Sequence, residues 1–122
     1  MKRILITGSR SWVRTDTIAK AIDLVVDYLG TDVIVVHGAA RGADSLAGNY
    51  ARSIGLTVEE HPADWERYSK RAGYIRNAEM VALDADVCLA FIIDNSPGAT
   101  MMVKLVTDKK IPLTIYREFT GS

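Results

Sequence analysis

Cys88 is the only cysteine in the chain, so no disulfide can form within it. It lies in the apolar run Asp86-Val-Cys-Leu-Ala-Phe-Ile-Ile93, where a small core residue is expected rather than a reactive thiol. There is no Cys/His cluster with metal-ligand spacing. The two histidines, His37 and His61, stand at the ends of two different strands, so neither a metal nor a cofactor is expected. Net charge is also lacking: fifteen basic residues balance fifteen acidic ones. Overall charge therefore gives no support to a non-specific nucleic-acid or membrane binder. Long apolar runs are missing too. Ile4-Leu-Ile6 ends at Thr7-Gly8, too short for a signal peptide, and nothing approaches a membrane span. No repeat or linker interrupts the 122 residues. A single cytoplasmic domain over 1–122 is expected, with a frayed tail over 118–122.

What is present is alternation. Strands are predicted at 4–6, 33–36, 56–60, 87–93 and 113–116, the fourth apolar enough to be buried on both faces. Between them lie helical stripes. Ile18, Ile22, Val25, Val26 and Leu29 follow Asp16 or Thr17 as N-cap and precede Gly30. Leu46, Tyr50 and Ile54 are closed by Gly55. Ala72, Ile75, Ala82 and Leu83 make a third stripe, after an irregular and then helical stretch over 62–68. Met101, Met102, Leu105 and Val106 make the fourth. Such a pattern predicts an α/β, Rossmann-like, doubly wound sheet of about five parallel strands in the order 3-2-1-4-5, with helices on both faces. Ligands bind such sheets at the carboxyl ends of the strands, near the switch in strand order. The loops 8–12, 37–44 and 94–100 all leave that edge.

The second of these loops, Gly38-Ala-Ala-Arg-Gly-Ala-Asp44, carries the strongest signal. A strand that stops at glycine and restarts as a helix leaves N–H groups facing a crevice, and the helix dipole favours an anion there. Gly38 and Gly42 permit unusual backbone angles and leave no side chain in the way. Arg41 adds a planar fork suited to phosphate. Asp44 is either a helix cap or an acceptor for a ribose hydroxyl. In Gly8-Ser-Arg-Ser-Trp12, Gly8 allows close approach while Ser9 and Arg10 supply donors. This loop has neither the G-x-G-x-x-G dinucleotide fingerprint nor a Walker A sequence. In Ala72-Gly-Tyr-Ile-Arg-Asn77, Gly73 is expected inside a helix, marking a close approach, with Arg76 and Asn77 reaching the crevice. Ser96-Pro-Gly-Ala-Thr100 opens the last helix, where a start at Pro97-Gly98 leaves the helix N–H groups exposed to a second anion; Ser96 and Thr100 are read as ligands or as caps. Trp65 is expected to cover the core, and Met101 and Met102 to be core or dimer contacts.

In this order and spacing, Gly8-Ser-Arg10, His37-Gly-x-Ala-Arg-Gly-Ala-Asp44, Ala72-Gly-x-x-Arg-Asn77, Ala90-Phe91 and Ser96-Pro-Gly98 resemble the YspA/YpsA-related branch of the SLOG superfamily. The resemblance covers residues 4–116. It implies a Rossmann-like domain that binds nucleotides or nucleotide-derived ligands, a sensor or processor found in bacteria and their phages, and homo-oligomers. The superfamily includes the LOG phosphoribohydrolases, which split a nucleoside monophosphate into base and ribose phosphate. Arg76-Asn-Ala-Glu-Met80 is similar to the first half of their motif, but Ser96-Pro-Gly-Ala-Thr-Met-Met-Val103 lacks the glutamate expected to assist at the sugar. Asp44 and Glu79 are the nearby carboxylates, and neither stands at the family's position. The Gly-rich turn is distantly similar to that of DprA, which binds single-stranded DNA. Stacking aromatics are needed for such binding, and aromatic content is only 7%.

The expected function is therefore binding of a nucleotide-like small molecule, as sensor or sequestering protein, by a homo-oligomer, with neither membrane nor nucleic acid as partner. Gly8, Ser9, Arg10, Gly38, Arg41, Gly42, Asp44, Arg76, Asn77, Ser96, Gly98 and Thr100 are the expected ligand residues, with no catalytic residue assigned. Cleavage of a nucleotide N-glycosidic bond is the alternative.

Overall fold

The structure, a computed structural model, describes residues 1–120. In chain order its elements are β1 (Lys2–Gly8), α1 (Thr15–Leu29), β2 (Val33–His37), α2 (Ala43–Ser53), β3 (Thr57–Glu60) and α3 (Trp65–Tyr68). A 3-10 turn (Ser69–Arg71), α4 (Ala72–Ala82), β4 (Val87–Ile93), α5 (Pro97–Asp108) and β5 (Leu113–Glu118) follow. The sheet order is β3-β2-β1-β4-β5 and every pair is parallel, as the alternation predicts.

The sheet is doubly wound because its strands are apolar on both sides. In β4, the five consecutive residues from Cys88 to Ile92 are buried. One face packs Ile4, Ile6, Val33 and Val35 against Ile18 and Ile22 of α1 and Ala43, Ala47 and Ala51 of α2. The other packs Leu5, Val36 and Cys88 against Met80 and Val81 of α4 and Met102 and Val106 of α5. The alanine stripe of α2 lets that helix lie close to the sheet. Burial pushes the Cys88 thiol up to about 12, in keeping with a core role. Phe91 locks the first loop in place. Its ring meets Trp12 edge-on at 5.5 Å and stacks on Tyr116 at 5.2 Å, and its carbonyl accepts the Ser9 N–H.

Several local expectations are corrected. The N-cap of α1 is Arg14, not Asp16 or Thr17, and no side chain caps it; Asp16 pairs with Arg14 at 2.8 Å instead. Gly73 does lie inside α4, in its first turn, close to Trp65. The tail is held further than expected. Glu118 pairs with Ile93 in the sheet, and Thr120 donates to Asp94 through both its N–H and its hydroxyl. The rest of the expected frayed segment, 121–122, lies outside the described residues. Among those described, no helix is long and apolar enough to cross a membrane.

Candidate functional site

The β2–α2 loop is tied to itself. Asp44 is buried in the first turn of α2, and its Oδ2 accepts the N–H groups of Gly38 at 3.1 Å and Ala40 at 3.3 Å. The N–H of Ala39 goes to Nδ1 of His37 at 2.9 Å. That bond leaves the proton of a neutral imidazole on Nε2, which is buried without a hydrogen-bond partner, 3.6 Å from Glu60 Oε1. Burial lowers the His37 pKa, against the opposing pull of Glu60. Ala39 is thereby held at φ +59°, a conformation that costs an alanine about 1 kcal/mol. The amides of residues 38–40, expected to face a ligand, are therefore consumed within the loop. Asp44 is not the helix cap either: that position is Gly42. Burial raises the Asp44 carboxyl to about 6, although the two amides and the nearby guanidiniums of Arg76 and Arg10 pull the other way.

The glycines of the first two loops also answer to the protein. A Cβ on Gly8 would stand 2.4 Å from the Phe91 carbonyl oxygen and 2.6 Å from Cβ of Ala43. On Gly42, at φ +77°, it would stand 2.4 Å from the carbonyl oxygens of Ser9 and Arg10. On Gly38 it would enter the Arg76 guanidinium, which donates to the Gly38 carbonyl. Arg76 also donates through Nε to Asn77 Oδ1 at 2.7 Å. Burial lowers its pKa, which Asp44 partly restores.

The β4–α5 loop differs. Ser96 Oγ donates to the Ile93 carbonyl at 2.9 Å, so in the 2.6 Å contact between hydroxyls it is Ser9 that donates. Ser9 also accepts the Ile93 N–H at 2.8 Å. These hydroxyls join the first and third loops, so Ser9 has no proton left for a ligand, contrary to expectation. They also leave the N-terminus of α5 with no side-chain cap. Thr100 gives its N–H and its hydroxyl to the Ser96 carbonyl, each at 2.9 Å, and bonds the helix rather than a ligand. The N–H groups of Gly98 and Ala99 have no partner among the described residues. A Cβ on Gly98 would meet nothing within 4 Å.

Between these loops lies an open cavity of about 710 Å3. Of the residues expected to bind ligand, Gly8, Ser9, Arg10, Arg41, Asp44, Arg76, Asn77, Ser96 and Gly98 line it. Gly42 and Thr100 do not. Gly38 lines a second cavity of about 410 Å3 with Ala39, Pro62, Ala63 and Trp65, and the two cavities share Arg10, Ala40, Arg41 and Arg76. Among the described residues, none of these three arginines forms an ion pair. Asp44 is the one carboxylate on either lining, and Glu79 lies outside both. No group of three His, Cys, Asp or Glu residues could hold a metal ion among the described residues.

Two aromatics change the reading made from composition. Trp65, expected over the core, is 50% exposed with the Arg10 guanidinium 5.8 Å from its ring centre. Tyr74, which the sequence did not single out, is 53% exposed on the larger cavity. Aromatics are few, but two of them stand at the groove. Met101, expected in a core or dimer contact, lines the larger cavity, and Met102 is in the core.

In known structures this architecture recurs in DNA processing protein A. The Helicobacter pylori protein, described in its single-stranded DNA binding mode, matches with a TM-score of 0.68 at 18% identity over 93% of this chain. The Streptococcus pneumoniae protein matches with a TM-score of 0.55 at 14% identity over 93% of this chain. This chain spans 64% and 58% of those two chains, and the likeness is one of fold. In sequence, the chain is 41% identical to the Gene 61 protein of Mycobacterium phage D29 over 118 residues, 93% of this chain and 94% of that one. The profile of the YspA, cpYpsA-related SLOG family matches residues 2–68, from β1 through the loop that holds His37, Arg41 and Asp44 to Trp65, and the chain belongs to that family.

Proposed function

We propose that the protein binds a nucleotide or nucleotide-derived ligand through its phosphate, as a sensor or sequestering protein. One observation carries the reading: three arginines without ion pairs face the uncapped start of α5 across a cavity of about 710 Å3. Charged donors and free helix-start amides are a phosphate's natural partners, and the volume is in the usual range for a small-molecule site. The groove offers Asp44 as its only carboxylate, already engaged by two amides. Binding without turnover is therefore better supported than N-glycosidic cleavage.

Arg41 is exposed and is the variant of choice, since its loss leaves the loop bonds intact. A thermal-shift and calorimetry panel of nucleoside mono-, di- and triphosphates should reveal a ligand. Arg41→Ala should weaken that ligand by about 1.5–3 kcal/mol, the worth of a charged hydrogen bond, with an unchanged melting temperature. Unchanged affinity in a folded variant would overturn the site.

A second reading is a short single strand of nucleic acid, favoured by exposed Trp65 and Tyr74 beside the guanidiniums. It requires anisotropy of a labelled oligonucleotide to rise with protein and to fall steeply with salt.

A further inference from the structure

The two cavities are too closely joined to be independent. They share three guanidiniums, and beyond that partition each has its own walls. On one side are the open Gly98, the α5 amides and Tyr74. On the other are Pro62, Ala63 and the indole of Trp65. Trp65 rests beside Gly73, where a Cβ would be 3.6 Å from the indole, and Gly73 itself lines the larger cavity. The indole thus stands where one cavity passes into the other. It is half exposed, at the first position of α3, so part of its ring is open to the cavity.

From this partition, and resting on the phosphate site proposed above, we infer that the ligand is two-ended: a phosphate linker sits at Arg10, Arg41 and Arg76, with one nucleoside in each cavity. The smaller cavity is a second subsite, and Trp65 is its stacking platform. A phosphate drawn to Arg10 places the next ring of its ligand beside the indole, because the Arg10 guanidinium already lies over that ring. Indole gives affinity to any heterocycle through its face, with little choice among bases. Dinucleoside pyrophosphates and dinucleoside phosphodiesters share the required chemistry, and the linker tells them apart.

The test compares adenosine monophosphate with diadenosine pyrophosphate and with the adenosine dinucleoside phosphodiester, by calorimetry on the wild-type chain and on Trp65→Ala and Trp65→Phe. At least one of the two-ended ligands should bind about tenfold more tightly than the monophosphate, the gain expected from one stacked base. Trp65→Ala should bring that ratio close to one, and Trp65→Phe should keep most of it. The linker preferred by the wild type identifies the ligand class. Two-ended ligands that bind no better than the monophosphate, with Arg41→Ala still weakening the latter, would overturn the second subsite and leave the phosphate site standing. A ratio unmoved by Trp65→Ala would also overturn it. A single-stranded octanucleotide that binds far more tightly than either dinucleotide would replace it with a nucleic-acid groove. Failure of every nucleotide to bind would remove both readings.

Discussion

The β2–α2 loop and the β4–α5 loop both carry glycine, both start a helix, and both face the same cavity, yet they are built for different tasks. In the first, the amides of residues 38–40 are taken by Asp44 and His37, Gly42 is required by neighbouring backbone, and Gly38 makes room for the Arg76 guanidinium. In the second, the side chains turn away to bond the first loop, the helix start is uncapped, and Gly98 has empty space around its Cα. The motif-rich loop is scaffold, with Arg41 as its outward-facing charge. The plainer loop has the free donors. A dense motif thus marks where the chain must be held, and the uncapped amides lie across the cavity from it.

The sharpest way to break this comparison is to add a methyl group to each loop. Gly42→Ala forces φ +77° on a side chain and drives its Cβ to 2.4 Å from two backbone carbonyls. A loss of about 4 kcal/mol in urea denaturation is expected, from backbone strain and overpacking together. A loss below about 1 kcal/mol would mean the loop is not tied as described.

Asp44 offers a test of the same scaffold by pH. Its carboxyl is raised to about 6 in the folded protein from an ordinary 3.8, with burial as the main cause. Between those values the folded state holds a proton that the unfolded chain has released. This group's contribution is therefore full below about pH 4 and is lost as pH rises through 6, a change of about 3 kcal/mol. Asp44→Asn keeps an acceptor for the two amides and has nothing to titrate. Its stability relative to the wild type should rise between pH 4 and pH 7 by up to that amount. Parallel stability curves would show that the Asp44 carboxylate is not penalised by burial.

Much of this was legible in the sequence because it depends on local pattern. Strand order followed from the alternation of apolar runs with helical stripes, and nine of the twelve expected ligand residues line the larger cavity. What was not legible depends on contacts between distant segments. Gly8 reads as space for a ligand until Phe91 and Ala43 are seen to fill it. Ser9 reads as a free donor until Ser96, 87 residues away, takes its proton. Trp65 reads as core because most tryptophans are largely buried, and no periodicity in so short a helix says which way it faces. His37 was legible as a strand end and as the head of the motif but not by its role, which is to close the turn through its ring on the Ala39 N–H.

Gly98→Ala should have the smallest effect on the fold. The added Cβ meets nothing, and the position is in the first turn of α5, where alanine is the better helix former. Stability should rise by about 0.5–1 kcal/mol, from reduced freedom of the unfolded chain. Phosphate affinity should move the other way, because the methyl group occupies space beside the two free amides that an anion must reach. Calorimetry with the best nucleotide should show about tenfold weaker binding, equivalent to about 1.4 kcal/mol. A more stable protein with weaker binding is the signature of a glycine kept open for a ligand. Higher stability with undiminished affinity would instead place the phosphate away from α5, on the arginine side of the cavity alone.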